Sequence, residues 1–228
     1  NLEGNTLLQI DQDVELSAVM VTLKCAGDID IGEDTAITAI NQQQYVLPGA
    51  ALVNNTLQIA SSAGWVRLNG SALTAPQGIL VAANLSDVNI TNSNINATQR
   101  TSSNEAFVFV IAGGTVNAPF NLEITATRIL ILGEQLINIT EDAYFNALTA
   151  AETSSTILNN NSILLDSYGD IFLAYSTLQG ERGITLQGVN LNLTQASIEG
   201  SSTGAEYDVY LNASEEIWFE QVTVVGAG

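Results

Sequence analysis

Residues 184–200 read "ITLQGVNLNLTQASIEG". In an extended chain Ile184, Leu186, Leu191, Leu193, Ala196 and Ile198 point one way, and Thr185, Asn190, Asn192 and Thr194 point the other. A single strand of about five or six residues does not need so long an alternation. The stretch works as a template: apolar-x-apolar, a short gap, apolar-x-apolar, two residues, then small or apolar-x-apolar-x-Gly or Ala. Residues 163–180 fit it through Ile163, Leu165, Ile171, Leu173, Ser176, Leu178 and Gly180. Residues 209–226 fit through Val209, Leu211, Ile217, Phe219, Val222, Val224 and Gly226, without a gap relative to 163–180. The opening stretch is one residue shorter in its first gap.

An earlier pair of copies starts at Leu57 and Ile79, 22 positions apart. One runs through Ile59, Val66, Leu68, Ser71, Leu73 and Ala75, the other through Val81, Val88, Ile90, Ser93, Ile95 and Ala97. Looser copies run through Val21, Leu23, Ile29, Ile31, Ile37 and Ala39, and through Leu122, Ile124, Ile129, Ile131, Ile137 and Ile139. "FVFVIAGGTVNA" fits poorly and its register is left open. One unit of two or three short strands cannot bury its apolar row alone. Stacking successive units makes a continuous core and pairs the backbone groups of neighbours. A coil of ~22 residues at about 3.3 Å per residue suits a three-sided spiral filled by side chains.

The expected fold is therefore all-β, a parallel β-helix (β-solenoid) with ~22-residue coils. It forms a single domain over 1–228 or a segment of a longer shaft. The rival, an antiparallel sandwich, does not require the same internal spacing in successive segments. Glycine or alanine at the end of each unit marks a tight corner where a Cβ is costly. Two departures are expected. From Thr140, "TEDAYFNALTAAETSS" has Tyr144, Ala147, Leu148 and Ala151 at helical spacing, predicting a short helical insertion near 140–152. "TQRTSSNEA", 98–106, reads as a surface loop.

Composition narrows the function. Acids outnumber bases 24 to 5, giving a net charge of −19, and only 13% of residues are charged. With Lys24, Arg67, Arg100, Arg128 and Arg182 the sole cations, no basic patch exists to neutralise phosphates, which argues against nucleic acid. No apolar run of about 20 residues is present, so no membrane insertion is expected. Cys25 stands alone and reads as a small buried apolar residue. The chain begins at Asn1 without a signal-like stretch, which suggests a mature or excised segment. The repeat runs to Val224 with no capping helix, pointing to a longer shaft or to copies stacking end to end.

"GDIDIGEDTAITA", "VRLNGSALTAPQGILVAA", "GGTVNAPFNLEITA" and "GITLQGVNLNLTQASIEG" resemble the filamentous haemagglutinin-like, two-partner-secreted adhesins. The resemblance covers most of the chain. It implies a right-handed β-helical shaft on the cell surface or secreted, binding a host or neighbouring-cell glycan or protein. "APQGI" at 75–79 is a partial echo of the Asn-Pro-Asn-Gly-Ile motif of that family's secretion domain.

Catalysis finds little support. The chain has no histidine, which excludes Ser-His-Asp and Cys-His chemistry and imidazole zinc sites. Glycoside hydrolysis needs two carboxyls a definite distance apart, and no pair stands out. The expectation is a non-catalytic protein, with a β-helical carbohydrate-active enzyme as the distant alternative. Calcium takes six to eight oxygen ligands, and "DIDIGED" offers Asp28, Asp30, Glu33 and Asp34; a solvated acidic face is the competing reading. Asn-x-Ser/Thr triplets begin at Asn54, Asn69, Asn84, Asn89, Asn96, Asn138, Asn160, Asn192 and Asn212. These are glycosylation acceptors in a glycosylating organism, or simply outer-face polar residues. Tyr175, Tyr210 and Trp218 fall on the outer parity and are candidate glycan contacts, whereas Trp65 and Tyr168 lie near corners as packing residues.

Overall fold

A computed structural model describes residues 1–40, 55–98, 106–147, 161–181, 183–200 and 209–226. Among them lie 23 strands and no helix, and every strand pairing is parallel. The pairings resolve into three ladders. The first runs from Leu2–Gly4 through Val21–Cys25, Asn55–Ser61, Gly78–Ala83, Phe107–Ala112, Arg128–Gly133 and Asn161–Ser167. It ends on the first halves of Gly183–Thr194 and Val209–Glu220. The second runs from Leu7–Ile10 to the second halves of those same two strands. The third runs from Glu15–Ala18 to Thr223–Val225. The chain visits first, second and third ladder in turn, the arrangement of a β-solenoid.

The core follows from the alternation. Leu57 pairs with Ile79, Ile79 with Val108, Ile129 with Ile163, Ile163 with Ile184 and Ile184 with Val209. Apart from Val209, these residues are fully buried. The template's one-residue deletion at 184–200 is also visible. The register between Gly183–Thr194 and Val209–Glu220 shifts between Gly188 and Asn190.

Two sequence expectations are corrected. The helical insertion near 140–152 is not a helix where it is described, because Tyr144–Ala147 is a strand paired with both Glu123–Ala126 and Thr177–Gly180. Ala143, Phe145 and Ala147 alternate inward and are buried, so a period of two outcompetes the helical spacing of Tyr144 and Ala147. Residues 148–152 lie outside the described residues, as does 99–105 of the expected surface loop.

The copy beginning at Leu122 sits one ladder out of phase with the template. Leu122 and Ile124 pair with Ser93 and Ile95 on the third ladder, and Ile129 and Ile131 open the next circuit on the first. All three ladders use apolar-x-apolar, so the motif does not say which ladder it occupies.

The corners are of two kinds, and the unit-end glycine at 180 meets the steric expectation. Between the second and third ladders the turn is made by residues with positive φ: Asp13, Asp34, Asn92, Asn121, Glu141, Asp142, Tyr175, Gln195 and Gln221, with Gly70 the glycine among them. Asn and Asp visit this region at low cost. Gly180 does not need positive φ. It sits in an inward row with Ala126, Ala147 and Gly200, where an added Cβ meets Ile184 Cγ1 at 2.9 Å.

Candidate functional site

The outward parity of the second ladder forms one continuous row: Gln9, Asp30, Arg67, Asn89, Asn117, Asn138, Phe172, Asn192 and Trp218. Its lower part is knitted by side chains. Arg67 Nε donates to Asp30 Oδ1 at 2.7 Å, and the two form an ion pair. That hydrogen bond, opposed in part by desolvation, holds the Arg67 guanidinium above its ordinary pKa. Arg67 also lies 5.3 Å from the Trp65 ring centroid, a cation–π contact. Asn117 Nδ2 donates to Asn89 Oδ1 at 3.3 Å, and Asn138 Nδ2 to Asn117 Oδ1 at 2.7 Å. The upper part, Phe172, Asn192 and Trp218, has no such links among the described residues.

The suggested calcium ligands are distributed along one strand and its two corners. Asp28 Oδ1 accepts the Trp65 backbone N–H at 3.1 Å. Asp30 holds Arg67, Glu33 Oε1 accepts from Asn69 Nδ2 at 3.1 Å, and Asp34 is a positive-φ corner residue. No group of three or more Cys, Asp or Glu among the described residues is arranged to hold a metal ion. Asp28 belongs instead to a recurring device. Asp87 Oδ1 accepts from Thr115 N at 2.7 Å and Asp170 Oδ1 from Asn190 N at 3.2 Å, each reaching the backbone of the next circuit. A carboxylate at this corner caps an N–H where the ladders change direction. The sequence alone does not reveal this role, because it depends on which residue of the next circuit lies above.

The three aromatic candidates are not brought together. Trp218 is 63% exposed on the second ladder and Tyr210 is exposed on the first, paired with Thr185. Tyr175 is not on a strand but at a corner with φ 50°. The sequence reading missed Phe172, exposed two rungs from Trp218 in the same row. The cue was available, since Phe172 stands between the inward Ile171 and Leu173. Tyr168 is 83% exposed, so it is not a packing residue, while Trp65 is partly buried.

Of the sequon asparagines, Asn54 and Asn160 lie outside the described residues. Asn84 is exposed, and Asn69, Asn89, Asn96, Asn138, Asn192 and Asn212 are partly exposed. Two open, shallow grooves flank the second-to-third corner. One is lined by Asn92, Asn94, Asn121, Glu123, Asp142 and Tyr144, the other by Gln9, Asp11, Asp30, Glu33, Arg67 and Asn69 among others. In the first, Asn94 Nδ2 donates to Glu123 Oε2 at 2.9 Å and Asn121 Nδ2 to Asn92 Oδ1 at 3.0 Å, so much of its polar lining is engaged internally.

The outside of the first ladder behaves differently from a wetted surface. Phe109 and Leu130 point away from the lumen yet are only 4% and 7% exposed, and they form a second apolar cluster with Leu80, Phe107, Ile111, Leu132 and Leu164. The apolar outward residues Phe107, Phe109 and Ile111 explain why "FVFVIAGGTVNA" did not fit an alternating template. Asp166 follows Leu132 in the same outward line, and its partial burial raises its carboxyl pKa. Comparison with protein-family models, with curated proteins and with solved structures yields no match for this chain.

Proposed function

We propose that this protein is an extracellular, non-catalytic β-helix of an adhesin or surface filament, attaching to a glycan or protein of a host or neighbouring cell. Its spiral is right-handed with laps of about 22 residues. Paired residues such as Ile59 and Val81, or Val110 and Ile131, are 22 or 21 positions apart, which supports the lap length. The strong preference for right-handed crossovers between parallel strands supports the hand. The observation that carries the functional reading is the uninterrupted outward row from Gln9 to Trp218. A continuous lateral row of mostly neutral polar and aromatic side chains, whose two charges, Asp30 and Arg67, neutralise each other, suits attachment along the shaft more than turnover in a cleft. The sparse cations, 5 in the chain, favour partners that are not polyanions. A glycan array combined with a cell-attachment assay tests this: saturable binding is expected, and absence of binding to any array glycan or surface overturns it. A reducing-sugar assay on a polysaccharide panel is expected to stay flat; release of sugar refutes the non-catalytic assignment.

A second reading is self-assembly end to end through the inward apolar residues of the last described circuit, Ile217, Phe219 and Val224, which are 41%, 51% and 45% exposed. A further circuit stacked there, whether from a continuation of this chain or from another copy, would bury them. Filaments on negative-stain grids, abolished by Ile217→Lys, are the expected outcome of that reading; a monodisperse monomer at high concentration removes it.

A further inference from the structure

Resting on the attachment reading, we propose that Phe172, Asn192 and Trp218 form the binding platform, and that its ligand is a neutral polysaccharide lying along the solenoid axis. Phe172 pairs with Asn192 and Asn192 with Trp218, so the two rings stand two rungs apart, about 10 Å at roughly 4.8 Å per rung. That separation is close to the length of a disaccharide, so alternate sugars of a linear chain meet a ring. Both rings are open, Phe172 at 39% and Trp218 at 63% exposed, in contrast to the buried outward Phe109. Sugar rings have an apolar C–H face that stacks on an aromatic face, where the ring's negative quadrupole is directed. Between the rings, Asn192 offers an amide with no side-chain partner among the described residues, unlike Asn117 and Asn138 below it.

The surroundings select the charge of the ligand. The positions two residues before and after these on the same outward parity include Asp170, Glu216 and Glu220, and no cation. Carboxylates accept hydrogen bonds from sugar hydroxyls and repel uronic acids, sulfates and phosphates. In a glycosylating host the Asn192 sequon would place a covalent glycan between the rings and compete with a free chain.

The test uses protein with Asn192 unmodified and Trp65→Phe, which leaves Trp218 as the sole tryptophan, since the chain contains two. Cellohexaose, chitohexaose, xylohexaose and mannohexaose are titrated against Trp218 fluorescence, with cellobiose and a hyaluronan hexasaccharide as short and anionic controls. At least one neutral hexasaccharide is expected to bind saturably, the disaccharide about tenfold more weakly, and the anionic one not at all. Calorimetry on Phe172→Thr and Trp218→Ala is expected to show roughly three- to tenfold weaker binding each, with Phe172→Tyr and Tyr210→Ala near wild type. Threonine suits a strand, and matching circular dichroism separates lost stacking from lost fold. Failure of every neutral hexasaccharide to bind, or unchanged binding in Phe172→Thr and Trp218→Ala, overturns the platform. If the array or cell assay is still positive in that event, the attachment reading stands without it; if both are negative, both fall.

Discussion

Phe145 and Tyr144 give the most direct test of the spiral. In the structure Phe145 is fully buried and stacks between Ile124 and Leu178 in the third ladder's inward row. Tyr144 faces outward, and its hydroxyl donates to Gln179 Oε1 at 2.6 Å. Phe145→Ala removes the whole ring from a close-packed lumen bounded by rigid ladders, where the site cannot readily collapse. The cost should fall in the usual range for such a truncation, about 3–5 kcal/mol. Tyr144→Ala removes a part-buried hydrogen bond and some outer-face packing, at about 1 kcal/mol. Urea unfolding followed by circular dichroism reads both. With a slope of about 3 kcal/mol/M for a chain of this size, Phe145→Ala lowers the midpoint by roughly 1–1.7 M and Tyr144→Ala by about 0.3 M. The amphipathic-helix reading of the same residues orders them oppositely, because it places Tyr144 on the apolar face and Phe145 off it. A Tyr144→Ala loss equal to or larger than that of Phe145→Ala would refute the alternation on which the fold rests.

Gly169→Ala should be among the most damaging single-methyl changes, since the new Cβ would lie 1.7 Å from the Gln135 carbonyl oxygen of the preceding circuit. A loss of about 3 kcal/mol or more is expected in the same urea assay, and a loss under 1 kcal/mol contradicts the close backbone approach. Desolvation raises the folded pKa of Asp166 above the ordinary carboxylate value, so its native state holds the proton more tightly than the unfolded chain. Its ionisation therefore opposes folding increasingly as pH rises through that window. Asp166→Asn should be more stable than wild type at pH 7 and indistinguishable from it below about pH 3; an equal difference at both pH values sinks the assignment. When the chain is expressed with N-glycosylation, peptide mapping should find Asn84, exposed at a corner, more fully occupied than Asn138, whose amide donates to Asn117 at 2.7 Å. The reverse order would show that the amide ladder does not protect its members.

How far the sequence could be read depended on what each residue's role requires. Inward rows were legible because burial imposes a strict period of two, and Leu57 over Ile79 or Ile163 over Ile184 follow directly from spacing. The strand at Tyr144–Ala147 was hidden because Tyr144, Ala147 and Leu148 also satisfy helical spacing. Only its pairing with Glu123–Ala126 and Thr177–Gly180 decides between the two periods. The buried outward cluster at Phe109 and Leu130 was hidden for the opposite reason: apolar residues on both parities erase the alternation.

The site residues were harder still, because their meaning lies across circuits rather than along the chain. Asp28, Asp30, Glu33 and Asp34 are dense in sequence, which suggested a shared ion. In space the chain spreads them over a strand and two corners. Each then answers to the circuit beside it: Asp28 to the Trp65 amide, Asp30 to Arg67, Glu33 to Asn69. Phe172 and Trp218 are the converse, 46 positions apart in the chain and two rungs apart in the ladder. In a solenoid proximity along the sequence separates side chains around the perimeter, while a separation of whole laps brings them into register. Candidate clusters in this chain are therefore found at lap intervals. The acidic run gives way under that criterion, and the aromatic pair emerges from it.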